Sequence, residues 1–253
     1  MDTLENEIAI LRICHEVKEI EKQLQTINEL IVTNYMFELS NGLRIYPVEV
    51  EAYYRYIGFN DESVHRNELQ KNNYGKFYIH RAGKTGVKEA KYKAGTRKGI
   101  DICLSNSDDF YYGVLIRSAK SNLGNIVFGP NNVCEFIKES NGLVSKLEED
   151  VVLKTAINEC RDNSIILHST RVGLGSSLAD CYGDLLLRTI AGSLFSPDVP
   201  YRYREKEKVF KNYIKSKGFL QKEAENVSVQ ILGYCAKTLI NDFFQSSSGD
   251  TEY

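Results

Sequence analysis

The first part of the chain carries apolar residues at spacings of three and four. Glu and Lys fill many of the positions between them, so one side of a helix would be apolar and the other polar. This period predicts one long amphipathic helix over residues 3–33. We expect its apolar stripe to pack on this chain's own core rather than on a partner helix. The stripe consists of Leu4, Ile8, Leu11, Cys14, Val17, Ile20, Leu24, Ile27 and Ile31.

The pattern changes to alternation after the turn sequence Asn41-Gly42. Residues 43–53 alternate apolar and polar positions, which predicts a strand. Its faces carry different side chains: Val48, Val50 and Ala52 on one, and Glu49, Glu51 and Tyr53 on the other. Shorter runs predict strands at 77–80, 100–104, 111–116 and 164–169, and helices at 131–139, 204–216 and 220–245. Terminal helices around central strands indicate the α+β class.

Composition narrows the possible classes of protein. Hydrophobic residues make up 42% and charged residues 26% of the 253 positions, which excludes collagen and low-complexity disorder. No apolar run approaches the roughly 18 residues of a membrane span. The start of the chain, with Asp2, Glu5 and Glu7, does not follow the pattern of a signal peptide. We expect a cytoplasmic protein, working at the nucleoid if the source is prokaryotic, with no membrane partner.

Cysteine and histidine spacing gives no metal motif. No two of the six cysteines form a CxxC pair, and the four histidines form no HExxH helix. The segment around Gly173 and Gly175 lacks the spacing and the lysine of a nucleotide-binding loop. We therefore expect reduced thiols, no metal, no nucleotide and no other cofactor.

Charge is unevenly distributed along the chain. Residues 76–98 contain eight Lys or Arg against one Glu, whereas the whole chain has a net charge of −2. A run of this kind forms either a solvated face or a contact surface for a polyanion. In the second case the residues expected to contact a nucleic-acid backbone are Lys84, Lys88, Lys91, Lys93, Arg97 and Lys98.

Several residues could carry chemistry. Glu51 lies two positions before Tyr53, and a carboxylate beside an aromatic ring can act as a general base; the alternative is the wet face of a half-buried strand. His65 lies in a polar loop, where it is either a functional or an ordinary surface histidine. Arg117 ends an apolar strand, so it either reaches solvent or points inward and pairs with a carboxylate.

Four segments, taken in order, resemble the alkyladenine (3-methyladenine) DNA glycosylase family. Residues 48–53, Val-Glu-Val-Glu-Ala-Tyr, are similar to the family's V-E-T-E-A-Y strand. The other segments are 103–104 with 114–119 (similar to strands ending in L-L-R-A), 129–134 (similar to G-P-x-x-L-C), and 169–175 (similar to A-R-V-G-V-G). They fall within residues 41–197.

The resemblance implies a role for each matching residue. Glu51 would activate water, held also by Arg117 and the backbone carbonyl of Val172. Tyr53 would stack on a base flipped out of the duplex, and His65 would border the base and the sugar. Cleavage of an N-glycosidic bond passes through an oxocarbenium-like sugar, which a carboxylate stabilises. The resemblance implies no catalytic lysine, and hence a hydrolase that does not cut the strand.

The sequence departs from the family at the base-binding positions. His80 stands where the family has a second stacking Tyr, and Ser105 stands where it has an Asn near the base edge. The basic segment 81–98 takes the place of a short hairpin with an intercalating aromatic residue, which leaves Tyr92 as the available wedge. His80 could still stack, or could carry a proton and favour a different base.

Pattern and resemblance together predict a single α+β domain with a curved antiparallel sheet surrounded by helices. Residues 1–35 would form an amino-terminal extension, 36–203 the family-like core and 204–253 a helical carboxyl-terminal segment. The expected function is a monofunctional DNA glycosylase of base-excision repair that acts on alkylated or deaminated purines in double-stranded DNA. The alternatives are a non-catalytic nucleic-acid binder on the same fold, an N-glycosidic hydrolase acting on RNA or nucleosides, and a protein-interaction module built on the stripe of residues 3–33.

Overall fold

The chain is described by a computed structural model over residues 3–82, 91–141, 151–156, 165–174, 182–192, 203–232 and 234–248. Helices lie at both ends of the chain, with strands between them. The helices are α1 (Thr3–Ile13), α2 (Val17–Asn34), α3 (Pro130–Asn141), α4 (Tyr203–Lys217), α5 (Gln221–Leu232) and α6 (Lys237–Ser248). The strands are β1 (Tyr35–Leu39), β2 (Arg44–Tyr56), β3 (Phe59–Asn60), β4 (Phe77–Ile79), β5 (Ile100–Cys103), β6 (Tyr111–Ser121), β7 (Ile126–Phe128), β8 (Val151–Thr155), β9 (Ile166–Ser169) and β10 (Arg188–Ala191).

One curled antiparallel sheet, open like half of a barrel, contains all these strands. The main order is β4-β5-β6-β2-β1-β8. The long strand β2 pairs with β6 along one edge, and its other edge is shared by β1, β10 and β3. β9 continues the sheet beyond β10, and β7 pairs with β6. The predicted α+β class with a curved antiparallel sheet is confirmed.

The predicted single helix over residues 3–33 is two helices that fold back on each other. Glu16 is extended between α1 and α2, and the amide of Gln23 on α2 donates to the backbone carbonyl of Glu7 on α1 at 3.0 Å. The break leaves Val17 of the stripe exposed, as well as Ile13 beside it, and Cys14 partly buried; the other stripe residues are buried in the main core. A straight rod could not bring both halves of the stripe to one core. The expectation that the stripe packs within this chain is confirmed.

The faces of β2 differ from simple alternation because the strand contains a bulge. The register with β6 shifts between Pro47 and Glu49 and again between Glu49 and Val50. A bulge inserts an extra residue and reverses which positions face the core. Ile45 and Val50 therefore both lie in the core, and Val48, predicted to share that face, is only partly buried.

The other face of β2 is covered rather than wet. Glu49 is 3% exposed and Glu51 is 0% exposed, so the interpretation of these residues as a solvated strand face is wrong. Part of the cover is a second apolar core between the β9–β10 end of the sheet and helices α4, α5 and α6; it includes Leu167, Ile190, Phe210, Ile214 and Ile231. The two acidic side chains are therefore held inside the protein.

Helix boundaries at the carboxyl end also differ from the prediction. The helix predicted over 220–245 is two helices, α5 and α6, with a break between Leu232 and Lys237. The helix predicted over 204–216 matches α4, and that over 131–139 lies within α3. In the described ranges, no helix is long and apolar enough to span a bilayer.

Candidate active site

A row of residues in register crosses six strands of the sheet. Each pair of neighbours in the row is a directly opposed pair, and directly opposed residues in antiparallel strands point to the same face. The row runs, from β4 through β5, β6, β2 and β10 to β9, as Tyr78, Asp101, Leu115, Glu51, Arg188 and Ser169. All but one of its members are polar. One face of the sheet thus packs on the main core, and the other carries this row of polar groups beside the second apolar core.

Glu51 is at the middle of this row and receives three hydrogen bonds. Its Oε2 accepts from the hydroxyl of Tyr53 at 2.9 Å and from Nη1 of Arg117 at 3.2 Å, and its Oε1 accepts from the backbone N–H of Val172 at 2.8 Å. All three groups donate, which is the environment of a carboxylate; a carboxylic acid would need an acceptor for its own proton. The three residues that sequence analysis assigned around Glu51 are all in contact with it.

Val172 makes this contact through a different atom from the one expected. The resemblance implied that its carbonyl would hold water, and the structure shows its N–H donating to Glu51 Oε1. Among the described residues this is the one donor to Oε1, and a carboxylate oxygen has about two acceptor positions. One acceptor position on Oε1 is therefore available for a further donor such as water.

A second buried carboxylate neighbours Glu51. Glu49 Oε1 accepts from Nε of Arg117 at 3.0 Å and from Nε of Arg188 at 2.6 Å, and its Oε2 accepts from the hydroxyl of Ser118 at 2.7 Å. Arg117 thus bridges both carboxylates, so the alternative in which it points inward to pair with acid is confirmed. Burial opposes its charge, but the two carboxylates raise the pKa of Arg117 above its ordinary value.

Arg188 links the buried carboxylate of Glu49 to helix α4. Its Nη2 lies 2.9 Å from Oε1 of Glu205 on α4. Two arginines therefore face Glu49 and Glu51 in the interior, and a buried carboxylate is tolerated only when such partners are present.

Tyr53 lies beside Glu51 and under a buried arginine. The guanidinium of Arg171 is 4.8 Å from the centre of the Tyr53 ring. Arg171 also bonds to Asp61 at 2.5 Å and donates to the carbonyl of Ala52 at 3.3 Å. Burial, followed by the charge of Glu51, raises the pKa of the Tyr53 hydroxyl well above its ordinary value. The hydroxyl therefore stays protonated and serves as a donor to Glu51.

A cluster of two histidines, an aspartate and a lysine occupies the β4–β5 end of the row. His80 Nε2 is 2.6 Å from Asp101 Oδ1, and the rings of His65 and His80 lie 4.2 Å apart. His65 Nε2 is 3.0 Å from Lys93 Nζ, and its Nδ1 is 3.2 Å from the hydroxyl of Tyr78. We refer to His65, His80, Lys93 and Asp101 as the histidine cluster.

Within the cluster, His65 and Asp101 have pKa values shifted below their ordinary values. Burial, helped by the charge of His80, lowers the pKa of His65 to about 3, so this ring is neutral at pH 7. Burial alone would raise the pKa of Asp101, but the charge and hydrogen bond of His80 lower it below the ordinary value. Space for the Asp101 carboxylate comes from Gly113, where a Cβ atom would lie 2.9 Å from Asp101 Oδ2.

We expect the burial of neutral His65 to make the protein less stable in acid. The pKa of His65 in the folded chain lies below its ordinary value, so the unfolded chain binds the extra proton. The stability is complete above about pH 6.5 and decreases towards pH 3 as the pH falls. Urea unfolding should show a loss of about 2 kcal/mol between pH 6.5 and 5, and His65→Gln should flatten this slope. An unchanged slope in the variant would contradict the assignment.

The remaining predicted site residues have mixed positions. Ser105 is buried, and its hydroxyl donates to the carbonyls of Ser107 and Phe110 within its own turn, at 2.7 and 2.9 Å. The hydroxyl is engaged in that turn, and no contact joins it to the groups around Glu51. Tyr92 is partly exposed and lies against Arg81, whose guanidinium is 4.5 Å from the ring centre.

The basic segment is not uniform. Lys91 and Arg97 are exposed, as a phosphate contact requires. Lys98 is paired with Glu135 at 2.7 Å. Lys93 belongs to the histidine cluster rather than to the surface, so its assignment to backbone contact does not fit its position. Lys84 and Lys88 lie outside the described residues.

Sequence analysis missed several members of the site. Asp101 is the lone acid in the apolar run 100–104, which was the available signal of an inward-facing charge. Arg188 lies in a segment of ambiguous periodicity, and Asp61 gave no signal in its polar loop. In the described part of the chain, no group of three or more His, Cys, Asp or Glu is arranged to hold a metal ion.

Comparison of the sequence with models of protein families and with curated proteins gave no match. Function must therefore be argued from the geometry. The site offers a buried carboxylate whose Oε1 accepts one hydrogen bond from the described residues, an aromatic ring beside it, and a second cluster of ionisable groups on the same face of the sheet.

Proposed function

We propose that this protein is a DNA glycosylase that hydrolyses the N-glycosidic bond of a damaged purine. The observation that carries the proposal is the environment of Glu51, a fully buried carboxylate oriented by Tyr53, Arg117 and the N–H of Val172. A carboxylate held in this way can orient water and stabilise positive charge as the sugar becomes an oxocarbenium ion.

The two oxygens of Glu51 have different hydrogen-bond partners and would have different roles in the reaction. Oε2 is engaged by Tyr53 and Arg117, which fix the orientation of the carboxylate. Oε1, with its remaining acceptor position, would bind the attacking water and take up its proton. Electrostatic groups fixed before the reaction stabilise the transition state without further reorganisation. Arg117 is the positioning residue in this scheme, since it binds both Glu49 and Glu51.

Recognition of the base would use polar and aromatic groups on either side of Glu51. Tyr53 offers an aromatic ring that can stack on an electron-poor, alkylated base. The His80–Asp101 pair offers hydrogen-bonding groups at the other end of the row. The target must leave the duplex stack first, which costs a few kcal/mol and is easiest for damaged bases. We propose double-stranded DNA as the partner and the cytoplasm as the place of action.

One observation favours a second function. Glu51 is 0% exposed, and a carboxylate that water does not reach would make the protein a non-catalytic reader of nucleic acid. Base release and DNA binding are separate measurements, so the two functions can be distinguished.

The proposal is tested with duplexes that carry 3-methyladenine, hypoxanthine or ethenoadenine. Incubation with the full-length protein, followed by alkaline cleavage at abasic sites, should give product from at least one lesion and none from undamaged duplex. Binding to all three without product would support the reader instead and overturn the glycosylase.

We expect DNA binding to depend on Lys91 and Arg97. Replacing both by Glu should weaken binding by about tenfold or more at low salt and reduce the slope of log K against log salt. Lys237→Glu, which changes an exposed charge on α6, is the matched control and should bind as the wild type does. Fluorescence anisotropy over a range of salt concentrations measures both quantities. An unchanged salt slope in the double variant would contradict a role for this segment.

A further inference from the structure

We propose that Lys93 is an amine nucleophile that attacks the abasic sugar left after base release and so cuts the DNA strand. The activity rests on the proposed glycosylase function, because that reaction supplies the abasic site. It departs from the hydrolase without strand cleavage that the family resemblance implies.

The position of Lys93 sets it apart from its basic neighbours. Its backbone N–H donates to the carbonyl of His80 at 2.9 Å, and Ala82 N–H donates to the carbonyl of Lys91 at 2.7 Å. These bonds fix the segment against the end of β4. The Lys93 side chain is half-buried and its Nζ lies 3.0 Å from His65 Nε2, whereas Lys91 is exposed and Lys98 is paired with a carboxylate.

The partner of Lys93 leaves its nitrogen able to react. His65 Nε2 accepts an N–H from Nζ, which places the ring proton of neutral His65 on Nδ1, facing the Tyr78 hydroxyl. A neutral amine can donate one N–H to the ring and keep its lone pair for attack. Burial lowers the pKa of Lys93. The negative charge of Asp101 opposes this shift, and the positive charge of Arg97 adds to it. Lowering the pKa of a lysine by desolvation is an established way to make it a nucleophile.

In the proposed complex the abasic sugar lies between Lys93, at the β4 end of the row, and Glu51, at its middle. Asp101, which binds His80, is separated from Glu51 by two strand spacings, about 10 Å. The ring of His65 packs against that of His80, and its Nε2 contacts Lys93 Nζ. Lys93 therefore lies on the β4 side of the space between Asp101 and Glu51. A sugar that lies between the two sides would present C1′ to the water of Glu51 from one side and to the amine from the other.

The chemistry requires only the abasic sugar and water. The Lys93 amine adds to the C1′ aldehyde of the ring-opened sugar, water leaves, and a C1′–N iminium bond forms. The C2′ proton then passes to water, the 3′ C–O bond breaks, and the 3′ phosphate departs with the electron pair of that bond. Water hydrolyses the imine, which returns the free lysine and leaves an unsaturated aldehyde on the DNA. No oxidant or reductant is consumed.

Borohydride trapping on DNA with a preformed abasic site tests the proposal. The reductant converts the iminium to a stable amine, which links protein and DNA covalently. Wild type should give an adduct that peptide mapping places on Lys93. Lys93→Arg, which keeps a long side chain with N–H donors but cannot form an imine in this way, and Lys93→Met should each lower the adduct at least tenfold. Lys237→Met, which removes an exposed lysine on α6, is the matched control and should trap as the wild type does.

The outcomes separate this inference from the proposed function, because a preformed abasic site bypasses base release. No adduct in wild type, an adduct mapped to another lysine or to the amino terminus, or full trapping by a folded Lys93→Arg variant would each overturn the role of Lys93. Base release measured on lesion duplexes would be untouched by these results. Thermal melting of each variant establishes that it is folded.

Discussion

Glu51→Gln is expected to slow base release by at least about 100-fold while DNA binding stays within threefold of wild type. The amide cannot take the proton of the attacking water and cannot stabilise an oxocarbenium ion with a negative charge. Glutamine has the same length as glutamate, so the contacts of Tyr53 and Arg117 keep their approximate geometry. Single-turnover rates and anisotropy titrations on the same lesion duplex measure the two quantities.

The matched variant for this prediction is Tyr53→Phe. It removes the hydroxyl that donates to Glu51 Oε2 but keeps the ring. We expect a rate loss of about tenfold or less, because Arg117 and Val172 still orient the carboxylate. A Glu51→Gln protein that is folded, binds DNA and releases base at the rate of Tyr53→Phe would contradict the role of Glu51 as general base.

Arg171→Leu is expected to lower the free energy of unfolding by about 3–5 kcal/mol. The side chains of Arg171 and Asp61 are 0% and 1% exposed. Removing the arginine leaves the Asp61 carboxylate buried without its partner. It also removes the donors to the carbonyl of Ala52 and the hydroxyl of Ser63. Urea unfolding at pH 7 measures the change.

Two control variants test whether the loss of stability comes from the buried pair of Arg171 and Asp61. Arg44→Leu breaks an exposed ion pair with Glu38 at 3.0 Å and should leave the free energy of unfolding nearly unchanged. In Asp61→Asn/Arg171→Leu the buried charge is gone as well, so the double variant should recover part of the loss. A single variant as stable as Arg44→Leu would show that the Asp61–Arg171 pair does not hold the loop of Val172 in place.

Much of the fold could be predicted from the spacing of apolar residues along the chain. The alternation of residues 43–53 places β2, and the spacing of the first apolar stripe identifies the buried side of α1 and α2. Period cannot show where a helix stops if the pattern continues across the break, as it does at Glu16. It also cannot identify β1, a short apolar run that follows α2 with no turn signal between them.

The site could be predicted only in part, for a related physical reason. Alternation assigns Glu49 and Glu51 to one face of β2, but the cover over that face comes from helices distant in sequence. Asp101 reaches the site through strand pairing between β4, β5 and β6, and Lys93 through its contacts with His80 and His65, which a local pattern does not encode. The motif around Glu51 could be recognised in the sequence because Tyr53, which contacts Glu51, lies only two residues further along the chain.

The most direct test of the central claim is detection of the free base by mass spectrometry after excess protein has acted on the most rapidly processed lesion duplex. The account predicts one free damaged base for each abasic site from wild type, none from undamaged duplex and none from Glu51→Gln within the same time. Wild-type protein that binds all three lesion duplexes and releases no base, or Glu51→Gln that releases base as wild type does, would contradict it.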